Sequence, residues 1–302
     1  MNLKELDYML AIAKYQNITK AAESLYITQP ALTRFLQNME KEFKQKFFKR
    51  LGNKFVLTYA GERYIEKAKE ILTLKKELYQ EMSDISEHNH GVLKVSFPVM
   101  RGTYMLPCTL PIFGKQYPNV QLAIHEANSG DLESMILSGD TDLAFFNLPI
   151  ESPDIAYEVI SQEEIVLATE KNHHFMHKAV HKADCKYPWL DLNYLKSEPL
   201  VLQTTNQRTR QIVDKMFDEH NIKPNIKLTT RNIRASAELT AAGYASCFVC
   251  ETHLKHIGLQ DKLAYFSIGR PKTSVEFVVA YRRGTYIPNY ALDYIKIVKD
   301  FT

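Results

Sequence analysis

Residues 17–40 constrain the fold of this chain more than any other segment, because they predict two short helices joined by a tight turn. The first helix is predicted over about residues 20–25, with the Thr19 hydroxyl as its N-cap. The second is predicted to begin at Thr28, another N-cap candidate, with Pro30 in its first turn, where a missing N–H costs little. The segment therefore predicts a helix–turn–helix near the start of the chain.

The predicted second helix divides into an apolar stripe and a polar edge. The apolar side chains recur at helical spacing, as in a helix that buries one face; they are Leu32, Phe35, Leu36, Met39 and Phe43. The opposite side carries Pro30, Thr33, Arg34, Gln37 and Lys41, with Gln29 at its margin. Hydroxyl, amide and guanidinium groups along an exposed helix can read base edges in the DNA major groove. The alternative is an ordinary amphipathic helix pair with a solvated face.

A basic hairpin is predicted directly after the two helices. Residues 47–58 read as two short strands around a Gly52-Asn53 turn, a position for a wing that touches phosphates or the minor groove. Between Ala13 and Phe55, nine Lys and Arg residues oppose three acids, a local excess of +6. Such an excess supplies the sequence-independent part of DNA affinity, and it favours DNA binding over the solvated face.

This pattern resembles the winged helix–turn–helix of LysR-type transcriptional regulators. The matching residues are Ala21-Ala22-Glu23-Ser24-Leu25, Thr28-Gln29-Pro30-Ala31-Leu32-Thr33-Arg34, Leu36, Glu40, Phe47, Phe48, Arg50, Leu57-Thr58 and Ala60-Gly61. The match combines order, spacing and residue type over about 60 positions. Together with the residue reading, it predicts DNA contacts from Thr19, Thr28, Gln29, Pro30, Thr33, Arg34, Gln37, Lys49, Arg50, Asn53 and Lys54.

Charge and composition support the same division of the chain. The net charge of +3 over 302 residues lies in residues 1–90, where 15 Lys and Arg oppose 12 Asp and Glu, and the remainder is neutral. No apolar run approaches the roughly 18–20 residues that cross a bilayer, and the first residues carry acids rather than an apolar signal segment. Four cysteines do not form a disulfide framework. We expect a soluble cytoplasmic protein without membrane contact.

A long helix is predicted to follow the DNA-binding domain of residues 1–58. The linker segment is assigned to residues 59–90. It comprises the helix and most of a hinge, which is predicted at residues 86–91. Two adjacent apolar stripes run along the helix, one through Ile65, Ala68, Leu72, Tyr79 and Met82 and the other through Tyr64, Ile71, Leu78 and Ile85. Such stripes are typical of a dimer coiled coil, and the alternative is a helix buried within its own domain.

Strand and helix patterns alternate from Val92 onward, which predicts doubly wound α/β units in residues 91–302. The family resemblance implies a two-lobed effector-binding domain similar to periplasmic binding proteins. Lobe I would comprise about 92–161 and 268–302, and lobe II about 162–267. The landmarks of this weaker match are Tyr117-Pro118-Asn119-Val120, Ser138-Gly139-Asp140-Thr141-Asp142-Leu143-Ala144 and Ala241-Ala242-Gly243-Tyr244-Ala245. The fold class is thus α/β, with a winged helix–turn–helix, a linker helix and a two-lobed effector domain.

A small-molecule site is predicted where strands end and helices begin, since ligands bind at those positions in α/β sheets. The residues so placed are Pro98, Met100, Arg101, Thr103, Asn147, Gln203, Thr204, Asn206 and Arg231. Hydroxyls, amides and arginines at helix N-termini suit a small anion, most simply a carboxylate that Arg101 would bind. The alternative is that these arginines face solvent or pair with Glu126, Asp131 or Glu133. Pro98 and Met100 depart from the hydroxyl-rich turn of relatives, so a different ligand is expected.

Other chemistry-bearing patterns are less specific. His173, His177 and His181 would stack as metal ligands on a helix, but the resemblance places them in a surface loop, which is the favoured interpretation. Cys247 and Cys250 form a C-x-x-C within a predicted buried strand. Residues three apart on a strand face opposite sides, so core cysteines are favoured over a redox pair. No metal and no cofactor are predicted.

The sequence disfavours two other classes of protein. An enzyme would be indicated by a nucleophile elbow, a P-loop or a dinucleotide fingerprint, and the sequence contains none of these. A free solute-binding protein would need an export signal and would not need the winged module. The sequence therefore predicts a non-enzymatic, ligand-responsive transcription factor that binds double-stranded DNA and self-associates. The resemblance implies a homotetramer built as a dimer of dimers.

Overall fold

The computed structural model describes residues 2–52, 54–85, 90–270 and 272–302, and of Ser83 and Ile85 the backbone alone. The chain divides into two compact units, residues 1–86 and 87–302. Asn53 of the predicted wing and residues 86–89 of the predicted hinge lie outside the described residues. Among the helices of the described ranges, none is both long and apolar enough to span a bilayer.

The described residues of the unit 1–86 form four helices and one hairpin. Its elements are α1 Leu3–Tyr15, α2 Ile18–Ser24, α3 Gln29–Phe43, β1 Phe48–Leu51, β2 Lys54–Leu57 and α4 Tyr59–Ile85. Leu32, Leu36 and Met39 of α3 are buried against α1 and α2, which confirms the predicted apolar stripe, although Phe43 at its end is exposed. Each fully buried side chain of this size stabilises the unit by about 1.5–3 kcal/mol.

The start of α2 differs from the prediction. Asn17, not Thr19, is the N-cap, and its side-chain oxygen accepts a hydrogen bond from Lys20 N at 3.1 Å. Thr19 lies one residue inside the helix and is exposed, because Ile18 must enter the helix to reach the core, where it is 8% exposed. Thr28 does occupy the N-cap position of α3, but its side chain makes no capping bond.

Polar contacts hold the hairpin against the helices. Strands β1 and β2 pair antiparallel, with Phe48 opposite Leu57. The buried carboxylate of Glu40, near the end of α3, accepts hydrogen bonds from Lys46 Nζ and from Phe47 N at 3.2 Å. Phe55 N donates to the carbonyl of Gln16 at 2.8 Å, so β2 is also tied to the end of α1. The hairpin therefore has a fixed position relative to α3.

The long helix α4 begins and ends close to the predicted residues. Ile65 and Ala68 are buried within the unit, whereas the later turns expose apolar side chains. Those exposed side chains are Leu74, Leu78, Tyr79 and Met82, with exposed fractions of 64%, 56%, 67% and 49%. The first turns of α4 thus belong to the core of this unit, and the later turns present an apolar surface.

The unit 87–302 is an α/β structure, as the alternating pattern predicted. Its strands are β3 Gly91–Phe97, β4 Val120–Glu126, β5 Leu143–Asn147, β6 Ile155–Glu170, β7 Trp189–Leu190, β8 Pro199–Gln203, β9 Asn225–Thr230, β10 Ser246–Cys250, β11 Leu263–Ile268 and β12 Ser274–Arg282. Its helices are α5 Val99–Gln116, α6 Ser129–Ser138, α7 Arg208–Glu219, α8 Ile233–Ala241, α9 Glu251–Ile257 and α10 Asn289–Phe301, with 3-10 turns at His174–His177 and Leu192–Lys196.

The long strand β6 joins two halves of this unit. The strand order is β4-β3-β5-β12-β6-β10-β8-β9, and β11 pairs with β6 and β7. Residues 155–164 of β6 pair with β12, and residues 165–170 pair with β10 and β11. We call β3–β5 and β12 with α5, α6 and α10 the first half, and β7–β11 with α7–α9 the second half.

Helices cover both faces of each half-sheet, so the central strands are apolar without alternation. In β5, Phe145 faces one cluster with Phe97 and Tyr294, and Phe146 faces another with Leu132. In β10, Cys250 and Cys247 likewise belong to clusters on opposite faces. This arrangement confirms that the C-x-x-C residues are buried, opposed core cysteines, and both are free.

The sequence pattern predicts a helix from Gly102 to Gln116 that breaks near Pro107 and Pro111, and helix α5 is longer and more continuous than this. It begins at Val99 rather than Gly102 and runs through both Pro107 and Pro111 to Gln116. The two prolines are four residues apart and both are exposed, so water can satisfy the carbonyls that lose a helical donor. Arg101 consequently lies in the first turn of a helix and not in a connecting turn.

Candidate nucleic-acid interface and ligand cleft

The polar edge of α3 is open to solvent. Gln29, Pro30, Arg34 and Gln37 are exposed, and Thr33 is half-buried. Gln29 Nε2 donates to the Thr33 hydroxyl at 2.9 Å, and that hydroxyl donates to the Gln29 carbonyl at 2.9 Å. The Gln29 amide keeps its side-chain oxygen and one N–H for a partner. The amide oxygen and the remaining N–H can together form two hydrogen bonds with the major-groove edge of an adenine, to its N6 amino group and its N7.

The hairpin of the same unit presents exposed cations. Lys49, Arg50 and Lys54 are exposed, and none of them forms an ion pair within the described part of the chain. Because the hairpin is anchored through Glu40 and Phe55, its charges hold a defined place relative to α3. Cations held in this way suit phosphate groups, which fix register without reading sequence.

A cleft of about 840 Å³ lies between the two halves of the unit 87–302. Among the helices that begin at its wall are α5 and α6 from the first half, and α7 and α8 from the second half. Of these, α5, α6 and α7 have no side-chain cap hydrogen bond, while Asn232 caps α8 by accepting from Ala235 N at 3.0 Å. The first N–H groups of a helix lack helical partners and carry partial positive charge, so they favour anions.

Arg101 lies at the base of the cleft in a buried ion pair. Its guanidinium donates to both oxygens of Glu163, at 2.6 and 2.7 Å, and to Asn147 Oδ1 at 3.1 Å. The side chain also packs on the Phe277 ring, with Cζ 3.9 Å from the centroid. Burial opposes the charge and lowers the pKa of Arg101, but the neighbouring groups, foremost Glu163 and then Tyr104, together raise that pKa above its ordinary value. The carboxylate partner of Arg101 is therefore part of the protein.

A second arginine joins the two halves across the cleft. Arg208, the first residue of α7, pairs with Glu133 of α6, and both side chains are buried. Its guanidinium also donates to Gln211 at 2.8 Å and lies 3.7 Å from Glu151. Within the described residues, Arg208 Nε is buried and has no hydrogen-bond partner. This ion pair favours the arrangement in which the halves approach each other.

The structure brings six of the nine predicted ligand residues to one cleft, and the other three lie outside it. Pro98, Met100, Arg101, Thr103, Asn147 and Arg231 line the cleft. Gln203, Thr204 and Asn206 are outside the lining. The Gln203 amide is buried and donates to Phe248 O at 3.2 Å, and Thr204 donates to Asn206 at 2.7 Å. A turn at residues 204–207 separates β8 from α7. The residues that line the cleft from this segment are therefore Gln207, Arg208 and Thr209.

An aromatic and imidazole wall was not foreseen from the sequence. Tyr104 stacks on His256 with ring centroids 3.9 Å apart, and its hydroxyl lies 3.2 Å from His253 Nδ1. Burial is the main cause that raises the pKa of Tyr104 to about 12 and lowers that of His253. The nearby Arg101 charge also lowers the pKa of His253, so this wall offers neutral side chains near pH 7. Gly258 ends the short helix α9, which carries both histidines, but seven residues are too few for a helical period to indicate which side chains face the cleft.

Cysteine chemistry is disfavoured at this cleft. Cys250 lines the wall, but burial, reinforced by the Glu163 charge, raises the pKa of its thiol to about 12. Burial likewise raises the pKa of the Cys247 thiol to about 11. Since the thiolate is the reactive form, neither sulfur is activated in this arrangement.

The histidine-rich segment contains a 3-10 turn, at His174–His177. His177 and His181 are exposed, as expected for a surface segment. His173 and His174 instead approach the buried carboxylate of Glu198, and the ligand atoms of the three residues lie within 4.8 Å of one another. The segment is thus partly folded against the second half.

Comparison with known families covers nearly the whole chain. Residues 3–62 match the bacterial regulatory helix-turn-helix protein, lysR family, and residues 86–302 match the LysR substrate binding domain. The HTH-type transcriptional regulator YcgK of Bacillus subtilis is 30% identical over 252 residues, which span 80% of this chain and 78% of YcgK.

Solved structures of the same architecture are also similar. Full-length OxyR of Pseudomonas aeruginosa aligns with a TM-score of 0.74 at 19% identity, over 99% of this chain and 94% of that one. Full-length CbnR in complex with its target DNA aligns with a TM-score of 0.63 at 22% identity over the whole of both chains. At these identities the likeness shows a shared fold.

Proposed function

This chain belongs to the LysR family of DNA-binding transcriptional regulators, and on that basis we propose that it recognises an operator through α3 and the hairpin and senses a small anion in the cleft. The family consists of regulators and not of enzymes. The exposed polar edge of α3, in one unit with an anchored basic hairpin, is the observation that carries the proposal for DNA. The related CbnR has been captured with its target DNA. Binding to DNA would place its action in the cytoplasm.

The proposed DNA contacts divide into two kinds. Base reading is assigned to the α3 edge, from Gln29 to Gln37, because its exposed amides and guanidinium match base edges. Positioning is assigned to the hairpin cations, with Thr19 and Thr28 at the starts of the two helices as further contacts to phosphates. Asn53 lies outside the described residues and stays a proposed DNA contact.

We propose self-association through the exposed apolar side chains of α4. Leu74, Leu78 and Met82 recur every four residues and lie on one side of the helix, together with Tyr79. An apolar surface of this kind, far from the buried first turns, is typical of an interface between chains. Pairing of two copies would present two α3 helices to a partly palindromic operator, and a dimer of such dimers is the proposed tetramer.

The proposed effector is a small anion bound where the helices begin. The uncapped N-termini of α5, α6 and α7 direct unpaired N–H groups to the cleft. Arg101 and Arg208 are neutralised by protein carboxylates, but the exposed Arg231 forms no ion pair within the described residues. Lobe I, at about 92–161 and 268–302, and lobe II, at about 162–267, would close around the ligand. A ligand shifts assembly only through different affinities for two states.

Replacing Gln29 by alanine is expected to relax sequence recognition. The variant should lose about 1–3 kcal/mol of discrimination at one base pair in each half-site, because the donor and acceptor pair that reads that base is removed. Binding to the operator and to single-base variants of it, at fixed salt, measures this loss. Lys54→Ala is the matched control, since it should weaken binding to all sequences and reduce the salt slope by about one unit. Equal weakening on operator and random DNA would contradict base reading by Gln29.

Arg231→Ala is expected to weaken the response to the effector without weakening operator binding. Arg231 is exposed and lies on the cleft wall, so its loss removes a charge without leaving a buried partner. Thermal unfolding with a panel of carboxylates, phosphates and their neutral analogues identifies the ligand, because a bound ligand at 100 times its Kd adds about 2.7 kcal/mol. The half-maximal concentration should then rise in Arg231→Ala and stay constant in Lys223→Ala, an exposed cation outside the cleft. Stabilisation by neutral analogues alone would contradict the proposed anion.

A further inference from the structure

A cluster of possible metal ligands lies in the second half, outside the ligand cleft. His173 and His174 follow the end of β6, and Glu198 immediately precedes β8. His173 Nε2 lies 3.3 Å from Glu198 Oε1, and one ligand atom from each of the three residues lies within 4.8 Å of the others. The rings of His173 and His174 have centroids 4.2 Å apart. The fold thus brings together donors from two separate segments of the chain.

The carboxylate of this cluster lacks a permanent cationic partner. Glu198 is 6% exposed and accepts a hydrogen bond from the Ser246 hydroxyl. Within the described ranges, no lysine or arginine forms an ion pair with Glu198, and the neighbouring His173 is the single basic side chain that does. A buried carboxylate is costly without a compensating charge. A bound cation would supply that charge.

We propose that His173, His174 and Glu198 bind one Zn²⁺ ion, with water as the fourth ligand. Imidazole nitrogens and a carboxylate oxygen are ligands that Zn²⁺ accepts at about 2.0–2.2 Å in a tetrahedron. Neutral imidazoles suit transition metals, whereas Mg²⁺ and Ca²⁺ prefer oxygen ligands. His174 is exposed, so its side chain can adjust to close the remaining distance.

Binding requires one shift of a proton within His173. In the structure, Nδ1 accepts from Phe175 N at 3.4 Å, and Nε2 faces Glu198. Coordination of the ion through Nε2 places the proton on Nδ1. Protonated Nδ1 can no longer accept the hydrogen bond from Phe175 N. The imidazole remains neutral and Glu198 remains ionised, so no proton leaves the protein. Phe175 keeps the turn in place, because its side chain is 1% exposed.

The proposed zinc site is distinct from the ligand cleft. Glu198 and Ser246 lie at the beginning of β8 and β10, which run parallel to each other. The cleft lies at the opposite ends of these two strands, where Cys250 ends β10 and α7 follows β8. Five residues of β8 separate the two places, a span of about 17 Å. A bound ion would tie the segment between β6 and β8 to the sheet and stabilise this half.

Calorimetric titration of the chelator-treated full chain with Zn²⁺ tests the site. We expect the wild-type chain to bind one Zn²⁺ ion. His174→Ala should abolish this binding or lower the Zn²⁺ affinity at least tenfold, because loss of even a residue that only hydrogen-bonds to a metal ligand lowers metal affinity by about 10–100-fold. Glu198→Gln should behave in the same way. His177→Ala is the matched control, since this exposed histidine of the same segment lies outside the cluster. X-ray absorption should show nitrogen and oxygen ligands at about 2.0–2.2 Å and no sulfur near 2.3 Å.

Several results would overturn the proposal. Equal Zn²⁺ affinity in the wild-type chain and in His174→Ala would remove His174 from any site. Equal losses in His177→Ala and His174→Ala would indicate nonspecific binding by surface histidines. A Zn–S distance in the absorption spectrum would place the ion at a cysteine instead. His174 is exposed, so a folding defect in His174→Ala is not expected, and unchanged Trp189 fluorescence confirms its fold.

Discussion

Arg101→Met is expected to destabilise the unit 87–302 by about 3–5 kcal/mol, because it leaves the Glu163 carboxylate buried without its cation. The pair is 2% and 0% exposed at its two side chains, so water cannot replace the lost hydrogen bonds. Trp189, the single tryptophan of the chain, lies in this unit and reports its unfolding in denaturant. Thermal or denaturant curves followed by its fluorescence give the free energy of unfolding.

The double variant Arg101→Met/Glu163→Leu is the control for this result. Replacing both partners of a buried pair by apolar side chains of similar volume is often nearly neutral, so most of the lost stability should return. Failure of the second substitution to restore stability would mean that packing on Phe277, and not the charge pair, explains the loss. A variant at Arg101 is therefore a poor probe of ligand binding, and Arg231 is the better one.

Gly61→Ala is expected to cost about 3 kcal/mol or more in the unit 1–86 and to abolish operator binding. A Cβ at Gly61 would lie 2.0 Å from the backbone oxygen of Phe47 and 3.0 Å from Leu57 Cδ2. The first contact is with backbone, so no change of rotamer relieves it, and α4 must move away from the hairpin. Circular dichroism should show earlier loss of helix while Trp189 fluorescence, which reports the other unit, stays unchanged.

Gly114→Ala is the matched control for this substitution. Gly114 lies inside α5, and a Cβ there would meet no atom within 4 Å. Alanine in an open helical position should stabilise the protein by about 0.5–1 kcal/mol, because glycine loses more backbone freedom on folding. Wild-type stability in Gly61→Ala would contradict the close approach of α4 to the residue before β1.

Patterns that one element determines by itself were readable from the sequence. The apolar stripe of α3 repeats at helical spacing, so its buried and polar sides followed from the residues 29–43 alone. The hairpin followed from two short strand patterns around a Gly-Asn turn, and the opposed cysteines of β10 followed from the period of a strand. Each of these predictions needed only local geometry.

Features that depend on packing between distant segments were not readable. Glu163 becomes the partner of Arg101 because β6 passes between the two halves, and nothing in the sequence indicates this contact across a separation of 62 positions. The choice of Asn17 over Thr19 as N-cap depends on the burial of Ile18 by other helices. Gly258 marks the end of the seven-residue helix α9, but no local pattern indicates that its histidines meet Tyr104 in the cleft.

Footprinting of the full chain on the DNA beside its own gene tests the central claim of sequence-specific recognition most directly. We expect protection of a partly two-fold symmetric site, with half-sites one helical turn of about 34–36 Å, or a multiple of it, apart. A shuffled sequence of the same length and composition should bind with an affinity at least about 10³-fold lower at the same salt. Equal affinity for the shuffled DNA would contradict the assignment of α3 as the element that reads bases.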